Sequence, residues 1–432
     1  MVEAECCEVI ALDGCQRGNS SGRLFAMKSG IIATLSVFCF AGCSGPTSGQ
    51  VVPAAPVALA QSTPVTMRSC RAPAPGAADP DGVHGLMVWL HSVDETKKNP
   101  AILKYLSIDS NLCGASIVIL WSGVDKGPSA SPQYDFDTID KAIAPWLAAK
   151  KIVNLLLVGT DEVGTADVAT PSWVLSQTGP NKVDLVPCAD PGNNVVAPPT
   201  PVYWEQGYLT PWHKFISAVI AHYGTNRNVG YMRFGLGAGA EDFVQHGADG
   251  NCFSAWQPYG LSAKFWAQYS ARLTGFIAAT ARRHGSTVQQ MVALNPFNDP
   301  SQPFNVQNEV ANAAARNGVG FGTENLGSGK YGRIIQKCTP KEYWCEAFTT
   351  HAGQVPLEFQ PINFTLQPGT HIAPLPKLVS YAMDNGAQVF EIYPQDWLTA
   401  DDPQHATYPA HHAAWKAGFA RAAAILGGTP GP

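Results

Sequence analysis

The sequence has little charge and no cluster of basic residues. Charged residues make up 14% of the 432-residue chain, against about 25% in an average soluble domain. The formal net charge is -5, so a nucleic acid would meet no basic surface to neutralise its phosphates, and nucleic-acid binding is excluded. The 11 tryptophans and 13 tyrosines indicate instead an aromatic, weakly charged surface that suits neutral ligands.

The N-terminal region resembles a bacterial lipoprotein signal. Met27 and Lys28 begin a short basic stretch, Ile31 to Phe40 is an apolar run, and Cys43 follows at once. The run is too short to span the ~30 Å hydrocarbon core of a membrane. We therefore expect residues 1–43 to be an upstream extension and an export signal, with Cys43 lipidated. The protein would be a cell-envelope lipoprotein held on the membrane by its lipid anchor, with plain secretion as the alternative.

Metal and nucleotide motifs are missing from the rest of the chain. No CxxC or HExxH spacing occurs, which argues against a zinc site, and neither a metal nor an organic cofactor is expected. An exported protein with an even number of cysteines is expected to form disulfides, whose pairing the sequence leaves open. The cysteines beyond Cys43 are Cys70, Cys113, Cys188, Cys252, Cys338 and Cys345.

Two segments follow the signal. Residues 44–82 are mostly Pro, Ala, Gly, Ser, Thr and Val, a composition that buries too little apolar surface to offset the entropy of ordering, so we expect a flexible linker. Residues 83–428 are long enough for one large core. We expect them to form a single catalytic domain and a monomer.

Eight short apolar runs alternate with helical patterns in this domain, as expected for strands buried on both faces. The runs are Gly85–His91, Ala115–Trp121, Ile152–Gly159, Val229–Gly235, Val288–Asn295, Val319–Gly322, Val355–Gln360 and Ala387–Tyr393. Helices are predicted at Asp135–Lys150, Thr210–Gly224 and Leu261–His284, and a capping box at Thr339 begins another. The alternation predicts an α/β fold, a single (β/α)8 TIM barrel with enlarged βα loops. An open doubly wound sheet competes, but no glycine-rich nucleotide fingerprint follows the first strand.

Two glutamates fall where predicted strands end. Glu241 lies just beyond strand four, and Glu358 lies in strand seven between Leu357 and Phe359. The carboxyl ends of barrel strands meet at one rim, so both side chains are expected at the same cleft. Two carboxylates around a glycosidic bond can supply the acid and the nucleophile or base of hydrolysis. A carboxylate inside an apolar strand is costly unless it faces water or a partner, which favours a function for Glu358.

Three phrases, in this order, resemble clan A glycoside hydrolases of the cellulase-like and β-galactosidase-like kinds. They are Tyr134–Asp140, Thr170–Trp173 and Pro201–Trp204. The resemblance covers about residues 83–428 and implies a retaining enzyme with Glu241 as acid/base and Glu358 as nucleophile. Two departures stand out: Ala240 occupies the place of the clan's usual asparagine, and strand two contains no arginine.

Aromatic and polar residues at predicted strand ends are the candidates for binding a carbohydrate substrate. They are Trp121, Trp173, Trp204, His91, Asn295, Glu324, Tyr393 and Trp397. Trp397 matches the place where the clan commonly stacks a tryptophan under the cleaved sugar. Glu324, at the end of strand six, is the substitute nucleophile if the strand count slips by one. The segment from Thr160 to Leu209 is too long for a simple connection and is expected to shape the cleft.

The sequence thus predicts an exported retaining glycoside hydrolase acting on a neutral poly- or oligosaccharide. Two other classes stay open. One is a non-catalytic carbohydrate-binding lipoprotein on a degenerate barrel, which Ala240 would permit. The other is a solute-binding lipoprotein, which needs two lobes and is disfavoured by the single run of eight units.

Overall fold

A computed structural model describes most of the domain predicted from the sequence. The described residues are 68–69, 83–106, 109, 111–161, 169–190, 195–239, 241–242, 244–245, 252–294, 306–326, 343–361, 365, 373–402 and 412–426. The chain divides into a unit of residues 1–59 and a unit of residues 60–432, and every described residue belongs to the second. Cys43 and the proposed signal lie outside them.

Eight parallel strands form a closed barrel. In chain order β1 to β8 they are Val83–Leu90, Leu112–Leu120, Ile152–Val158, Val229–Phe234, Gln289–Ala293, Gly320–Leu326, Leu357–Pro361 and Val389–Ile392. Each strand pairs with its sequence neighbours, and the pairing of β1 with both β8 and β2 closes the sheet. All eight apolar runs predicted as strands are confirmed, and so is the (β/α)8 barrel.

A helix follows each strand and covers the outside of the barrel. Helices α1 to α8 are Pro100–Leu106, Asp137–Ala148, Gln206–Tyr223, Ala263–Arg283, Val306–Asn317, Tyr343–His351, Leu375–Asp384 and His412–Leu426. Shorter helices lie in the connections at Glu95–Lys98, Trp121–Val124, Ser172–Leu175, Phe253–Trp256 and Pro394–Asp401. Within the described ranges, no helix combines the length and the apolar character needed to cross a membrane.

Helices α2 and α4 lie within two residues, at each end, of their predicted bounds. Ser262 caps α4 by accepting a hydrogen bond from the Phe265 backbone N–H at 3.2 Å, which satisfies one of the free donors of the first turn. The capping box predicted at Thr339 lies outside the described residues.

Helix α3 begins one turn before the predicted N-cap, Thr210. Pro211 therefore lies inside the helix, where it lacks the N–H that would bond the carbonyl four residues earlier. That carbonyl, of Gly207, instead accepts a hydrogen bond at 2.8 Å from the side-chain amide of Gln177. The predicted helix start was wrong because a side chain from a distant segment supplies the missing donor.

The long segment between Thr160 and Leu209 contains an antiparallel hairpin that the sequence did not predict. Its strands are Leu185–Asp190 and Val195–Pro201. The Gln245 side-chain amide donates to the Val186 carbonyl at 3.1 Å, which ties the hairpin to the chain that follows β4. The hairpin therefore borders the loop that carries Glu241.

The barrel interior differs from the layer between barrel and helices. Inward-facing residues of six strands form a small apolar cluster of their own: Met87, Cys113, Ile152, Tyr231, Met291 and Val389. Beyond this cluster, toward the carboxyl ends of the strands, the interior becomes charged on β4, β6, β7 and β8. Buried charge on several strands of one barrel points to the site.

Candidate active site

Arg233 lies at the centre of the barrel interior and joins three strands. Its side chain is fully buried, and Nη1 donates to Glu358 Oε2 at 2.9 Å. Nη2 pairs with Glu324 Oε1, and Nη1 lies 3.6 Å from Glu391 Oε2. One guanidinium on β4 therefore contacts carboxylates on β6, β7 and β8.

Three carboxyl groups lie around the single cation Arg233, and this surplus of acidic groups affects their pKa values. Burial raises the pKa of Glu358 well above its usual value, and the neighbouring charge of Glu391 raises it further, against the lowering effect of Arg233. Burial also raises the pKa of Glu391. Glu324 differs from the other two because 15% of its side chain is exposed, whereas those of Glu358 and Glu391 have no exposed area.

A chain of hydrogen bonds supports Glu391 from below. The Tyr231 hydroxyl donates to Glu391 Oε1 and lies 3.3 Å from the Ser116 hydroxyl. Asn154 donates to that hydroxyl at 3.0 Å and accepts from the Tyr231 backbone N–H at 3.2 Å. Strands β2, β3, β4 and β8 are thereby joined through buried polar groups, an arrangement that fixes side-chain positions.

Gly322 makes room for Glu358. A Cβ built on Gly322 would lie 1.8 Å from Glu358 Oε2, so the carboxylate lies directly against the backbone of β6. On β7, Leu357 and Phe359 belong to the outer apolar core, and the alternation of strand side chains turns Glu358 and Gln360 inward. Gln360 is the next inward residue toward the rim, so Glu358 lies one layer deeper than the sequence predicted.

Glu241 follows β4 on a loop that is firmly held. Its carbonyl accepts the backbone N–H groups of Leu236 at 2.9 Å and Gly237 at 3.0 Å. Gly239 adopts a left-handed conformation, with φ 66°, that suits glycine, and its N–H donates to the Thr160 carbonyl at 2.8 Å. The Glu241 residue is 7% exposed.

Tyr393, just beyond β8, relates Glu241 to Glu324. Burial raises the pKa of Tyr393, and the negative charges of Glu324 and Glu241 raise it further. Both carboxylates must therefore lie near this phenol, although one follows β4 and the other lies on β6. The structure brings Glu241, Glu324 and Tyr393 together at the carboxyl end of the barrel, where barrel enzymes place their active sites.

Asp242, next to Glu241, is anchored on helix α4. It is fully buried, and its Oδ1 accepts a hydrogen bond from the Ser270 hydroxyl at 2.8 Å. Burial raises the pKa of Asp242 to about 7, and the Ser270 bond opposes this shift. Because the folded pKa lies above the usual 3.8, the folded state holds this proton more tightly, and Asp242 reduces stability as pH rises from about 4 to 7.

Asp242→Asn is therefore expected to unfold at a higher urea concentration than the wild type at pH 8, with the difference vanishing near pH 4. The variant keeps the Ser270 contact but never ionises, and the gain is at most about 4 kcal/mol. Ser270→Ala is the control, since it loses the bond but keeps the titrating acid. A difference between Asp242→Asn and wild type that does not change with pH would contradict the raised pKa.

Gly322→Ala is expected to lower the free energy of unfolding by about 1–3 kcal/mol, because its methyl group must displace the Glu358 carboxylate from Arg233. Urea unfolding measures the effect. Gly275→Ala on α4 is the matched control, since its Cβ would meet no atom nearer than 4.0 Å and alanine favours a helix. Equal stability of Gly322→Ala and the wild type would contradict the placement of Glu358.

Two tryptophans predicted to bind sugar are core residues. Trp121 is fully buried, donates to Asp125 Oδ2 at 2.9 Å and packs 5.2 Å from Trp212. Trp397 is also fully buried and packs 6.2 Å from Trp146 of α2, on the outside of the barrel. Neither ring has a free face for a sugar, because the helix that follows each strand end turns its indole away from the cleft.

The other predicted binding residues lie in different places, some packed against neighbouring segments and some at the rim. Trp204 is half-buried against α4, where Phe265 lies 4.8 Å away, and Trp173 is half-buried beside Gly127. His91 is exposed and lies 6.2 Å from Tyr393, so these two share the rim with Glu324. Asn295 lies outside the described residues.

The residues predicted from the sequence do not include Arg233, Gln360 or Trp89, which lies on β1. Arg233 was the detectable one, since an arginine within the apolar strand Tyr231-Met-Arg-Phe is as costly to bury as Glu358 and needs a partner of opposite charge. It reaches the strand-seven glutamate from strand four, although strand two lacks the arginine of the clan. Trp89 and Gln360 were hidden because an aromatic or an amide inside a strand carries no such signal.

The eight paired strands and the helices between them define the fold class: the chain is a single (β/α)8 barrel. It is similar to the β-amylase catalytic domain of Paenibacillus polymyxa, with 10% identity and a TM-score of 0.49 over 71% of this chain and 91% of that one. It is also similar to a family 10 endo-β-1,4-xylanase from Gloeophyllum trabeum, with 13% identity and a TM-score of 0.43 over 76% and 86%.

A β-galactosidase from Marinomonas ef1 is a third similar structure, with 11% identity and a TM-score of 0.46 over 80% of this chain and 59% of that one. No family profile and no curated protein sequence matches the chain. The activity must therefore be argued from the site itself.

Proposed function

We propose that this protein is a retaining glycoside hydrolase that cleaves a neutral poly- or oligosaccharide. The observation that carries the proposal is the acidic carboxyl end of the barrel, where Glu324 of β6 lies partly exposed beside Arg233 and Glu241 follows β4 on a firmly held loop. Glycoside hydrolysis needs two carboxyl groups around the scissile bond, one to protonate the leaving oxygen and one to attack. The loop after β4 and the strand β6 supply them here.

Glu241 acts as the acid/base in this proposal. Its loop is held by backbone hydrogen bonds and by the neighbouring Asp242, and it is almost buried. A nearly buried carboxyl in a rigid loop suits proton transfer, because its position relative to the leaving oxygen is fixed.

Glu324 acts as the nucleophile. Of the three carboxylates around Arg233 it is the one with exposed surface, and attack on a sugar requires contact with it. Glu358, which the sequence favoured, is the alternative nucleophile. Its depth beneath Gln360 disfavours this role, because an attacking oxygen must contact the sugar and the Glu358 side chain has no exposed area.

Hydrolysis of aryl glycosides and cell-wall glycans by the wild type and by alanine variants tests the proposal. Glu241→Ala should lower kcat by about 10²- to 10⁴-fold on substrates with poor leaving groups. The exposed Glu309 of α5 provides the control, and Glu309→Gln should match the wild type. Undiminished turnover in Glu241→Ala would remove it from the role. Sugar binding without turnover of any substrate would favour a non-catalytic carbohydrate-binding protein.

We further propose that the protein is exported and anchored through a lipid on Cys43. The basic stretch, apolar run and cysteine of residues 27–43 support this. In a bacterial host, the full chain should fractionate with membranes and incorporate labelled palmitate. Cys43→Ala should abolish both, and retention of the label in that variant would exclude Cys43.

A further inference from the structure

The mouth of the barrel has an apolar side opposite its charged side. Trp89 on β1 and Val118 and Leu120 on β2 pack against a small apolar cluster that includes Leu156 and Val158 of β3. The first three of these are only partly buried. Charged groups lie on β4, β6, β7 and β8. A partly exposed apolar wall inside a barrel is a surface that a ligand can cover.

Aromatic rings border this wall at the rim. The ring of Trp89 lies 4.2 Å from that of His91 and 5.4 Å from that of Tyr393, which it meets edge to face. All three side chains are partly or fully exposed, so rotations of these rings can admit a ligand. The wall therefore continues from the interior to the edge where Glu324 lies.

Unpartnered polar groups adjoin the same wall. Among the described residues, the Trp89 indole N–H has no hydrogen-bond acceptor although it is buried. Gln360 is fully buried and lies within reach of the Tyr393 hydroxyl as a hydrogen-bond partner, yet neither end of its amide makes a hydrogen bond of normal distance and angle within the described part of the chain. Strands β1 and β7 both neighbour β8. Buried polar groups without partners are rare and call for an explanation.

We infer that Trp89, Val118 and Leu120 form the stacking face of the sugar subsite, and that the Trp89 N–H and the Gln360 amide bind hydroxyls of the same sugar. This inference rests on the proposed function and assigns to strand one the platform that Trp397 was expected to provide. A pyranose has a face of C–H groups that packs on an indole and a rim of hydroxyls that needs donors and acceptors. The apolar wall and the unpartnered groups match these two surfaces.

The charge around the subsite selects a neutral sugar. Glu324 is the partly exposed carboxylate of the group around Arg233, the cation placed there among the described residues, and Arg233 itself is fully buried. A carboxylate on the ligand would meet the like charge of Glu324 at short range and could not reach the buried guanidinium. Glucuronate should therefore bind at least ~10-fold more weakly than glucose.

Sugar binding by a catalytically disabled chain tests the inference apart from hydrolysis. In Glu241→Ala, calorimetric titration with glucose, galactose, mannose, xylose and glucuronate measures affinity. Adding Trp89→Ala should weaken binding of the preferred neutral sugar by at least ~10-fold. Adding Trp89→Phe, which keeps a ring but removes the N–H, should weaken it by ~3- to 10-fold. Trp415→Phe, on the outer helix α8, is the matched control, since Trp415 is also partly buried with an unpartnered indole N–H, and it should leave the affinity unchanged.

Gln360→Met separates a ligand-binding role from a structural one. Methionine has a similar length without the unpartnered amide, so the variant should melt at a higher temperature than the wild type while it binds the sugar ~3- to 10-fold more weakly. A residue kept for packing would show the opposite change in stability. Thermal unfolding of each Trp89 variant shows whether the weakened binding reflects loss of fold.

The outcomes distinguish this inference from the proposed function. If sugar binding depends on Trp89 and Gln360 but the wild type hydrolyses no substrate, the subsite is supported and only the proposed hydrolase activity is overturned. Hydrolysis by the wild type with unchanged sugar affinity in the Trp89 and Gln360 variants would overturn the subsite and leave the enzyme. Failure of all five sugars to bind, or preference for glucuronate, would also overturn the subsite.

Discussion

Arg233→Met should be the most destabilising single change in the barrel interior, lowering the free energy of unfolding by about 3–5 kcal/mol at pH 7. The substitution leaves Glu324, Glu358 and Glu391 facing one another without a cation. Removing one partner of a buried ion pair is costly because the remaining charge has neither water nor a counter-ion. Urea unfolding measures the change directly.

Two further observations make the Arg233 prediction specific. The loss should shrink as pH falls toward 4, because protonation of the carboxyl groups removes their repulsion. Glu358→Gln in the Arg233→Met background should restore part of the stability, since Glu391 then faces a neutral amide instead of a second acidic group. Arg233→Lys keeps a cation and should lose less. A loss below about 1 kcal/mol in Arg233→Met would contradict the central role of the guanidinium.

Glu324→Gln should reduce kcat by at least ~10⁴-fold, whereas Glu358→Gln should reduce it by less than ~10-fold. Glutamine at 324 removes the attacking oxygen anion. Glutamine at 358 keeps an oxygen that can accept the hydrogen bond from Arg233, which is 2.9 Å from the present Oε2. Steady-state kinetics on one aryl glycoside at fixed pH compare the two variants with the wild type.

The contrast between these two variants has its own control. Urea unfolding must show that each variant is fully folded under the assay conditions. This check is needed because Glu358 is buried and Glu324 is partly exposed, so the two substitutions can differ in their effect on stability. A larger kinetic effect in Glu358→Gln than in Glu324→Gln would return the nucleophile to strand seven, where the sequence placed it.

The strand framework of this fold could be predicted from the sequence. Each barrel strand is buried on both faces, so each appears as an apolar run, and eight such runs separated by helical patterns allow few other folds. The start of α3 could not be predicted, because the carbonyl of Gly207 takes its hydrogen bond from Gln177, 30 positions away. Predictions based on neighbouring residues cannot include a donor that is so distant in the sequence.

The site could be predicted only in part. The sequence singled out Glu241 and Glu324 because they follow or end strands and strand ends share a rim, and their catalytic roles stay predictions. Trp397 also follows a strand, but its helix, Pro394–Asp401, packs it against Trp146 outside the barrel. Trp89 was not predicted because it lies inside a strand and not at its end. Side chains along a strand point alternately into and out of the barrel, and the sequence does not show which of the two sets includes Trp89.

Rescue by azide tests the central claim most directly, namely that Glu324 is the carboxylate that attacks the sugar. Glu324→Gly and Glu358→Gly are each incubated with an activated aryl glycoside and sodium azide, and the products are identified by NMR. An external anion can replace only a missing nucleophile on that face of the sugar. We predict a glycosyl azide of inverted configuration with Glu324→Gly and none with Glu358→Gly. Formation of that azide by Glu358→Gly alone would contradict the account.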